Sequence, residues 1–313
     1  MDERTLELES NPPGRRLAAG ELWPRVAAVA RQALDSGALQ PIDTERLTVA
    51  DGGVDFAVRV VAGLRRKDEA ARRLAAAGRD DRNPFLPCDP ALTVGDVGAG
   101  HIAVLNKYRV VADHVLLVTR AFEQQRVLLG AADFAAAWWC LREGDGLVFY
   151  NGGQAAGASQ PHKHLQLVPL PLAASGPGLP IAPLLAPWRP SAEPGTSPRL
   201  PFAHALAASD DLFARAAADP AAAGAACARR FDALRAAVGL EALAGRRQSR
   251  PYNLLLTRRL MLLVPRGRED VAGISINALG YAGSLLLRRR AQLAGLERIG
   301  PLELLRRAAR TEP

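Results

Sequence analysis

The chain has 313 residues, 49% hydrophobic and 23% charged, enough to bury a substantial core as one large domain or two smaller ones. Forty basic against 32 acidic residues give a net charge of +8, which suits a polyanionic ligand; aromatics are only 5% and are not interleaved with basic residues, which argues against nucleic acid as the partner. Residues 1–10 carry five charges and no apolar run, no uncharged stretch has the length and composition of a membrane span, and Cys88, Cys140 and Cys227 stand singly, so the expectation is a cytoplasmic protein with no membrane association and no disulfides.

In chain order, Leu22, Val26, Val29, Ala30, Ala33 and Leu34 recur at helical spacing and predict an amphipathic helix over 20–36, ended by Gly37. Val54–Val61 alternates and is valine-rich, as a strand does. It leads through Arg65, Arg66 and Lys67 into an alanine-rich helix closed by Gly78. Strands are expected over 101–106 and 110–119, then a helix over 133–143 with Trp138 and Trp139 in the core, then a short strand over 146–151. The stretch 171–201 is rich in proline and reads as a linker or an irregular wrap. Residues 204–238 read as alanine-rich helix, 251–265 as a hairpin turning at Arg258 and Arg259, and 275–292 as a last helix with Ile276, Leu279, Ala282 and Leu286 on one face. Local hairpins mixed with helices predict an α+β fold with an antiparallel sheet and packed helices. The expected division is 1–170, a linker over 171–201, and 202–313.

The most informative stretch is Gly157-Ala158-Ser159-Gln160-Pro161-His162-Lys163-His164-Leu165-Gln166. A strand sends alternate side chains to one face, so His162, His164 and Gln166 share a face and Lys163, Leu165 and Leu167 take the other. Two imidazoles and an amide beside a loop rich in backbone N–H groups can cradle a phosphoryl group, and a neutral imidazole can attack phosphorus to give a phosphoramidate. Isolated histidines are most often structural, and His-x-His can be half of a zinc site. No C-x-x-C occurs, however, and His101, His114 and His204 are scattered, so no metal site is expected. The loop by itself would read as a plain surface turn. Only three basic residues are lysine (Lys67, Lys107 and Lys163), and in so arginine-biased a chain a compact ammonium suits a point contact to phosphate.

The His-x-His-x-Gln pattern behind Gly-Ala-Ser-Gln-Pro resembles the active-site motif of the diadenosine tetraphosphate phosphorylases, or ATP adenylyltransferases, a branch of the histidine-triad superfamily in which glutamine replaces the third histidine. The related galactose-1-phosphate uridylyltransferases have a similar His-Pro-His-x-Gln, but the lysine between the histidines and the upstream Gly-Ala-Ser-Gln favour the adenylyl branch. Asn83–Pro87, His101–Tyr108, Asp113–Thr119 and Phe149–Asn151 are similar to that family's N-terminal half. Tyr252–Thr257 and Met261–Pro265 are similar to its C-terminal segment, so the likeness runs over roughly residues 20 to 290.

The resemblance implies a histidine-triad-like N-terminal catalytic domain and an ATP adenylyltransferase C-terminal domain. It also implies reversible phosphorolysis of diadenosine tetraphosphate to ATP and ADP through an AMP–histidine. His164 would be the nucleophile, His162 would flank and orient it, and Gln166 would donate to a phosphate oxygen without titrating. Gly157, Ala158, Ser159 and Gln160 would bind phosphate, and Asn151 phosphate or ribose. Asn106 and Lys107 would line the nucleotide site, Lys67 would meet the polyphosphate, and Asn253, Thr257 and Met261 would close over the second nucleotide. The implied ligands are diadenosine tetraphosphate, ATP, ADP and phosphate, with a divalent cation (Mg or Mn) carried by the substrate, no organic cofactor, and a monomer or weak homodimer. Alternatives are a related nucleotidyltransferase such as an adenylyl sulfate phosphorylase, or a nucleotide-binding sensor without turnover. The presence of both histidines, Gln166 and the glycine loop argues against the sensor.

Overall fold

Continuous apolar runs bury both faces of a strand. Leu147–Tyr150 is such a run, Leu165–Val168 is interrupted only by Gln166, and both lie in the middle of the main sheet. A computed structural model describes residues 10–61 and 83–309. The chain opens with α1 (Leu22–Asp35), β1 (Thr44–Asp51), β2 (Val54–Val61), β3 (Thr93–Val97), β4 (His101–Leu105) and β5 (Val115–Thr119). Then follow α2 (Ala131–Glu143), β6 (Gly146–Gly152), β7 (His164–Pro169), α3 (Ala182–Leu185), β8 (Ala205–Ala208), α4 (Asp210–Ala218) and α5 (Pro220–Ala237). The hairpin β9 (Tyr252–Leu256) and β10 (Leu260–Pro265) precedes β11 (Asp270–Val271), β12 (Ile274–Ser275), α6 (Ala278–Tyr281), β13 (Ser284–Leu287), α7 (Gln292–Ile299) and α8 (Pro301–Ala308).

Eight strands form one antiparallel sheet in the order β3-β4-β5-β7-β6-β9-β10-β8. The β6–β9 pair carries the sheet across the proline-rich stretch, so both halves of the chain meet beside the histidine strand. One face packs on α1, α2 and α5 through Phe134, Trp138, Tyr150, Leu165 and Phe231. The other packs on the small β1-β2-β13 sheet and the C-terminal helices through Phe56, Val58, Phe149, Val168, Leu255 and Tyr281. The proline-rich stretch lays Leu172, Ile181, Leu184 and Leu185 into this second core. All three cysteines are free and buried, and burial pushes the thiols up, Cys88 to about 11.

The α+β antiparallel architecture agrees with the sequence reading, as do the helix over 22–35 and the hairpin at Arg258 and Arg259. Three expectations need correcting. Residues 205–208 are an edge strand and not the start of a helix, because β10 pairs with them. The strand expected over 110–119 begins at Val115, since Asp113 turns the chain with φ +53°. The helix expected over 275–292 is a single turn, α6, followed by β13: Gly283 at φ +92° stops it, and the leucines beyond pair in parallel with β2. The alanine-rich helix expected after Val61, and Lys67 with it, lies outside the described residues.

Helix α5 crosses α2 at Gly224. A Cβ there would stand 2.5 Å from the Ala131 carbonyl oxygen and 2.6 Å from the Ala135 nitrogen, both backbone atoms that cannot swing away. Gly→Ala in a helix interior ordinarily stabilises by about 1 kcal/mol. Here Gly224→Ala is expected to destabilise by about 1–3 kcal/mol, because the two helices must separate. Urea unfolding measures it; a stabilised variant would show that the crossing is looser than described.

Candidate active site

Strand β7 pairs with β5 from its first residue, Val118 facing His164 and Leu116 facing Gln166. On its other edge it pairs with β6 only as far as Phe149 and Gln166. Beyond that point the buried amide of Gln125 stands in for the ladder. It accepts from the His164 N–H at 2.8 Å and donates to the carbonyls of Asn151 at 3.0 Å and His164 at 3.3 Å. The strands therefore part where the glycine loop leaves β6. Alternation is as expected for residues 163–168. Leu165 and Leu167 join the helical core, Lys163 reaches α2, and Val168 belongs to the opposite face, the one that His164 and Gln166 share.

The buried His164 ring donates from Nδ1 to the His162 carbonyl at 2.8 Å. With Nδ1 protonated, a neutral imidazole carries its lone pair on Nε2. Burial, only partly offset by that bond, lowers the His164 pKa and favours the neutral form. His162 therefore orients its neighbour through main chain, not through its ring. Its imidazole is fully buried: Nε2 donates to the Thr119 carbonyl at 2.8 Å, Nδ1 lies 3.0 Å from the Asn83 amide nitrogen, and Phe85 and Phe122 pack on the ring. Burial pushes its pKa down to about 4. Gln166 Oε1 lies 2.9 Å from His114 Nε2, and Asn106 joins the chain at 3.1 Å from His114 Nδ1. Lys107, next in sequence, is half-buried with Nζ 5.8 Å from the Tyr108 ring centre.

The loop after β6 turns through a short 3-10 segment at 154–156 and leaves at Gly157 with φ +89°, where a Cβ would meet Asn277 at 2.8 Å. The N–H groups of Gly157 and Ala158 close this turn on the carbonyls of Gln154 and Gly153. Ser159 is exposed and Gln160 half-buried on the segment leading to His162. Asn151 and Asn253 face each other across β6 and β9, and Asn253 Nδ2 donates to Asn151 Oδ1 at 2.9 Å and to the Ala156 carbonyl at 2.9 Å. Buried Arg266 donates to Asn253 Oδ1 and to the carbonyls of Ile276, Arg268 and Ala308, and forms no ion pair among the described residues. Asn253 thus supports the loop from beneath. Thr257 and Met261 are not brought to this end of the sheet: Thr257 Oγ1 accepts from Arg259 and Leu260 in the hairpin turn, and Met261 is buried in the helical core.

Behind the strand, the Lys163 ammonium donates to Asp133 Oδ2 at 2.7 Å, Glu123 Oε2 at 3.1 Å and the Leu128 carbonyl at 3.3 Å. Burial alone would raise the Asp133 carboxyl, but the His101 hydrogen bond and the Lys163 charge outweigh it and hold the group down at about 2. The sequence reading assigned no role to His114, although it lies in the family-like stretch Asp113–Thr119, nor to Gln125, Asp133 or Arg266, since each meets its partners at the site across sequence separations that no local pattern spans. Among the described residues no cluster of three or more His, Cys, Asp or Glu could hold a metal, and no helix is long and apolar enough to cross a membrane.

Residues 13–187 match the family model described as the Ap4A phosphorylase N-terminal domain, and 198–311 that of the ATP adenylyltransferase C-terminal domain. Diadenosine 5',5'''-P1,P4-tetraphosphate phosphorylase 2 of Saccharomyces cerevisiae is 28% identical over 249 residues, 68% of this chain and 71% of that one. Protein APA1 of the same yeast is 32% identical over 155 residues, 45% of this chain and 47% of that one. The crystal structure of yeast Ap4A phosphorylase Apa2 superposes with a TM-score of 0.73 at 24% identity, covering 95% of this chain and 97% of that one. Its complex with Ap4A superposes at 0.70 with 22% identity, covering 95% and 100%. At such identities the two superpositions speak for the fold alone.

Lys163→Met removes one partner of a buried ion pair and is expected to destabilise the protein by about 3–5 kcal/mol. Lys163→Arg should not restore it, because a planar guanidinium cannot follow three acceptors arranged around a tetrahedral ammonium. Asp133 titrates below its usual 3.8 when folded, so its contribution is present above about pH 4 and lost as pH falls towards 2. The gap between wild type and Lys163→Met should narrow in that window. Urea unfolding across pH tests this; a gap below about 1 kcal/mol at pH 7 would mean that the pair is unimportant.

Proposed function

Because the chain belongs to the Ap4A phosphorylase family of nucleotidyltransferases, we propose that it cleaves diadenosine tetraphosphate with inorganic phosphate to ATP and ADP, by way of an adenylyl group carried on His164. The observation that carries the proposal is the His164 ring with Nδ1 tied to the His162 carbonyl, which leaves the lone pair on Nε2 in the neutral form that burial favours. Nε2 attacks one α-phosphorus, the bond to the bridging oxygen breaks, and ATP leaves with that oxygen. A phosphate oxygen then displaces the histidine and gives ADP. Both steps are displacements at one phosphorus and run backwards by the same route, so ATP and ADP can recombine.

The protein's part is positioning and charge stabilisation. Gln166 donates to a non-bridging oxygen through the transition state. The Ser159 end of the glycine loop meets the phosphates, and the Arg266 charge lies beneath that loop with no ion-pair partner among the described residues. Lys67, Lys107 and Asn106 belong to the nucleotide and polyphosphate path, and Asn151 and Asn253 hold the loop that shapes it. The described residues offer no metal cage, so a divalent cation comes with the polyphosphate.

Incubation with diadenosine tetraphosphate, with and without phosphate, tests the reading. ATP plus ADP should form only when phosphate is present; ATP plus AMP formed in water alone would make the protein a hydrolase. His164→Ala should abolish turnover while AMP affinity stays within about tenfold, because the imidazole's work is bond formation. Gln166→Ala should lower kcat by roughly a hundredfold, the scale of one lost transition-state donor.

A further inference from the structure

An amide beside a phosphate can help or hinder. Its nitrogen donates to a phosphoryl oxygen, while its oxygen repels one, and the two ends have almost the same shape. Something must therefore decide which end of Gln166 faces the reaction. The chain of contacts behind it does so, and it begins at a group that cannot flip. The Tyr108 backbone N–H donates to Asn106 Oδ1 at 3.2 Å. That commits the Asn106 oxygen and leaves Asn106 Nδ2 as the end 3.1 Å from His114 Nδ1. A donor at Nδ1 requires that nitrogen to be bare, so the neutral ring carries its proton on Nε2. Nε2–H then needs an acceptor, and Gln166 Oε1 lies 2.9 Å away. The Gln166 oxygen is thereby engaged, and its NH2 group has no partner among the described residues.

We propose that His114 is a positioning residue for adenylyl transfer: locked by Asn106 as the Nε2–H tautomer, it holds Gln166 Oε1 and so presents the amide N–H groups to the phosphoryl oxygens. The inference rests on the adenylyl-transfer reading of the site. It explains why a buried histidine stands just ahead of the apolar run Val115–Val118, with Phe149 packed on its ring at 5.8 Å. It also gives Asn106 a definite task, that of fixing a tautomer. The ring stays neutral because burial pushes its pKa down to about 4; the Gln166 bond acts upward, and His164 and Arg109 act downward. A protonated ring would set Nδ1–H against the Asn106 N–H groups and break the order of the chain.

Two measurements test this. In the histidine side-chain 15N spectrum at pH 7, the resonance lost in His114→Phe or His114→Gln should be that of a neutral ring protonated on Nε2. A ring protonated on Nδ1, or a charged one, overturns the proposal whatever the enzyme turns over. In kinetics, His114→Phe keeps the bulk and removes both nitrogens; it should lower kcat for the dinucleotide about 10–100-fold with KM within about threefold. His114→Gln, which can still donate to Gln166, should recover at least about tenfold of that loss. Adding Gln166→Ala to His114→Phe should leave kcat within about threefold of Gln166→Ala alone, because one acts through the other. Multiplying losses would show an independent or merely structural role. A wild type without turnover would sink the functional reading, while the tautomer measurement would still decide for or against His114.

Discussion

The hydrogen bond from His164 Nδ1 to the His162 carbonyl sets the terms for everything around it. An imidazole can be a nucleophile only at a bare nitrogen, and a backbone carbonyl is an acceptor that never changes its protonation state. Placing that carbonyl two residues before the ring requires the chain to bend just ahead of the strand. Much of the neighbouring structure maintains the bend: the His162 ring packed between two phenylalanines, the Lys163 main chain bonded to Thr119 and Glu123, and the Gln125 amide bridging β6 to the His164 backbone.

Strand alternation then separates two kinds of chemistry. On the helical side, Lys163 and Asp133 form a buried ion pair that ties the strand to α2. On the opposite side the polar groups are uncharged: His164, Gln166 and His114, all favoured as neutral by burial or by nature. In the proposed reaction a polyphosphate on this face would meet groups that hold one protonation state across neutral pH. Arg266 nearby, with no ion pair among the described residues, is saturated with carbonyl partners and serves the loop as a fixed field rather than a mobile hand.

The parts legible in the sequence were those decided within a few residues. His164 and Gln166 share a face because they stand two apart in a strand, and Lys163 faces away for the same reason. The parts that escaped depend on distant partners. His114 looked like a stray histidine until β5 paired with β7 and set it 2.9 Å from Gln166, 52 residues on. Thr257 and Met261 follow Asn253 closely, yet the hairpin carries them to the far end of the sheet, where one caps a turn and the other fills the core. Ile276, Leu279, Ala282 and Leu286 fit a helix by spacing, but the open edge of β2 claimed the leucines for a strand, and Gly283 made the break possible. Local periodicity cannot report an edge that needs a partner.

Stereochemistry at phosphorus tests the central claim most directly. A diadenosine tetraphosphate bearing a sulfur of known configuration at the α-phosphorus is cleaved with phosphate, and the configuration of the resulting ADP thiophosphate is read by 31P spectroscopy. Two successive in-line displacements, first by His164 and then by phosphate, predict overall retention. Inversion would mean that phosphate attacks the dinucleotide directly, and His164 would not carry the adenylyl group.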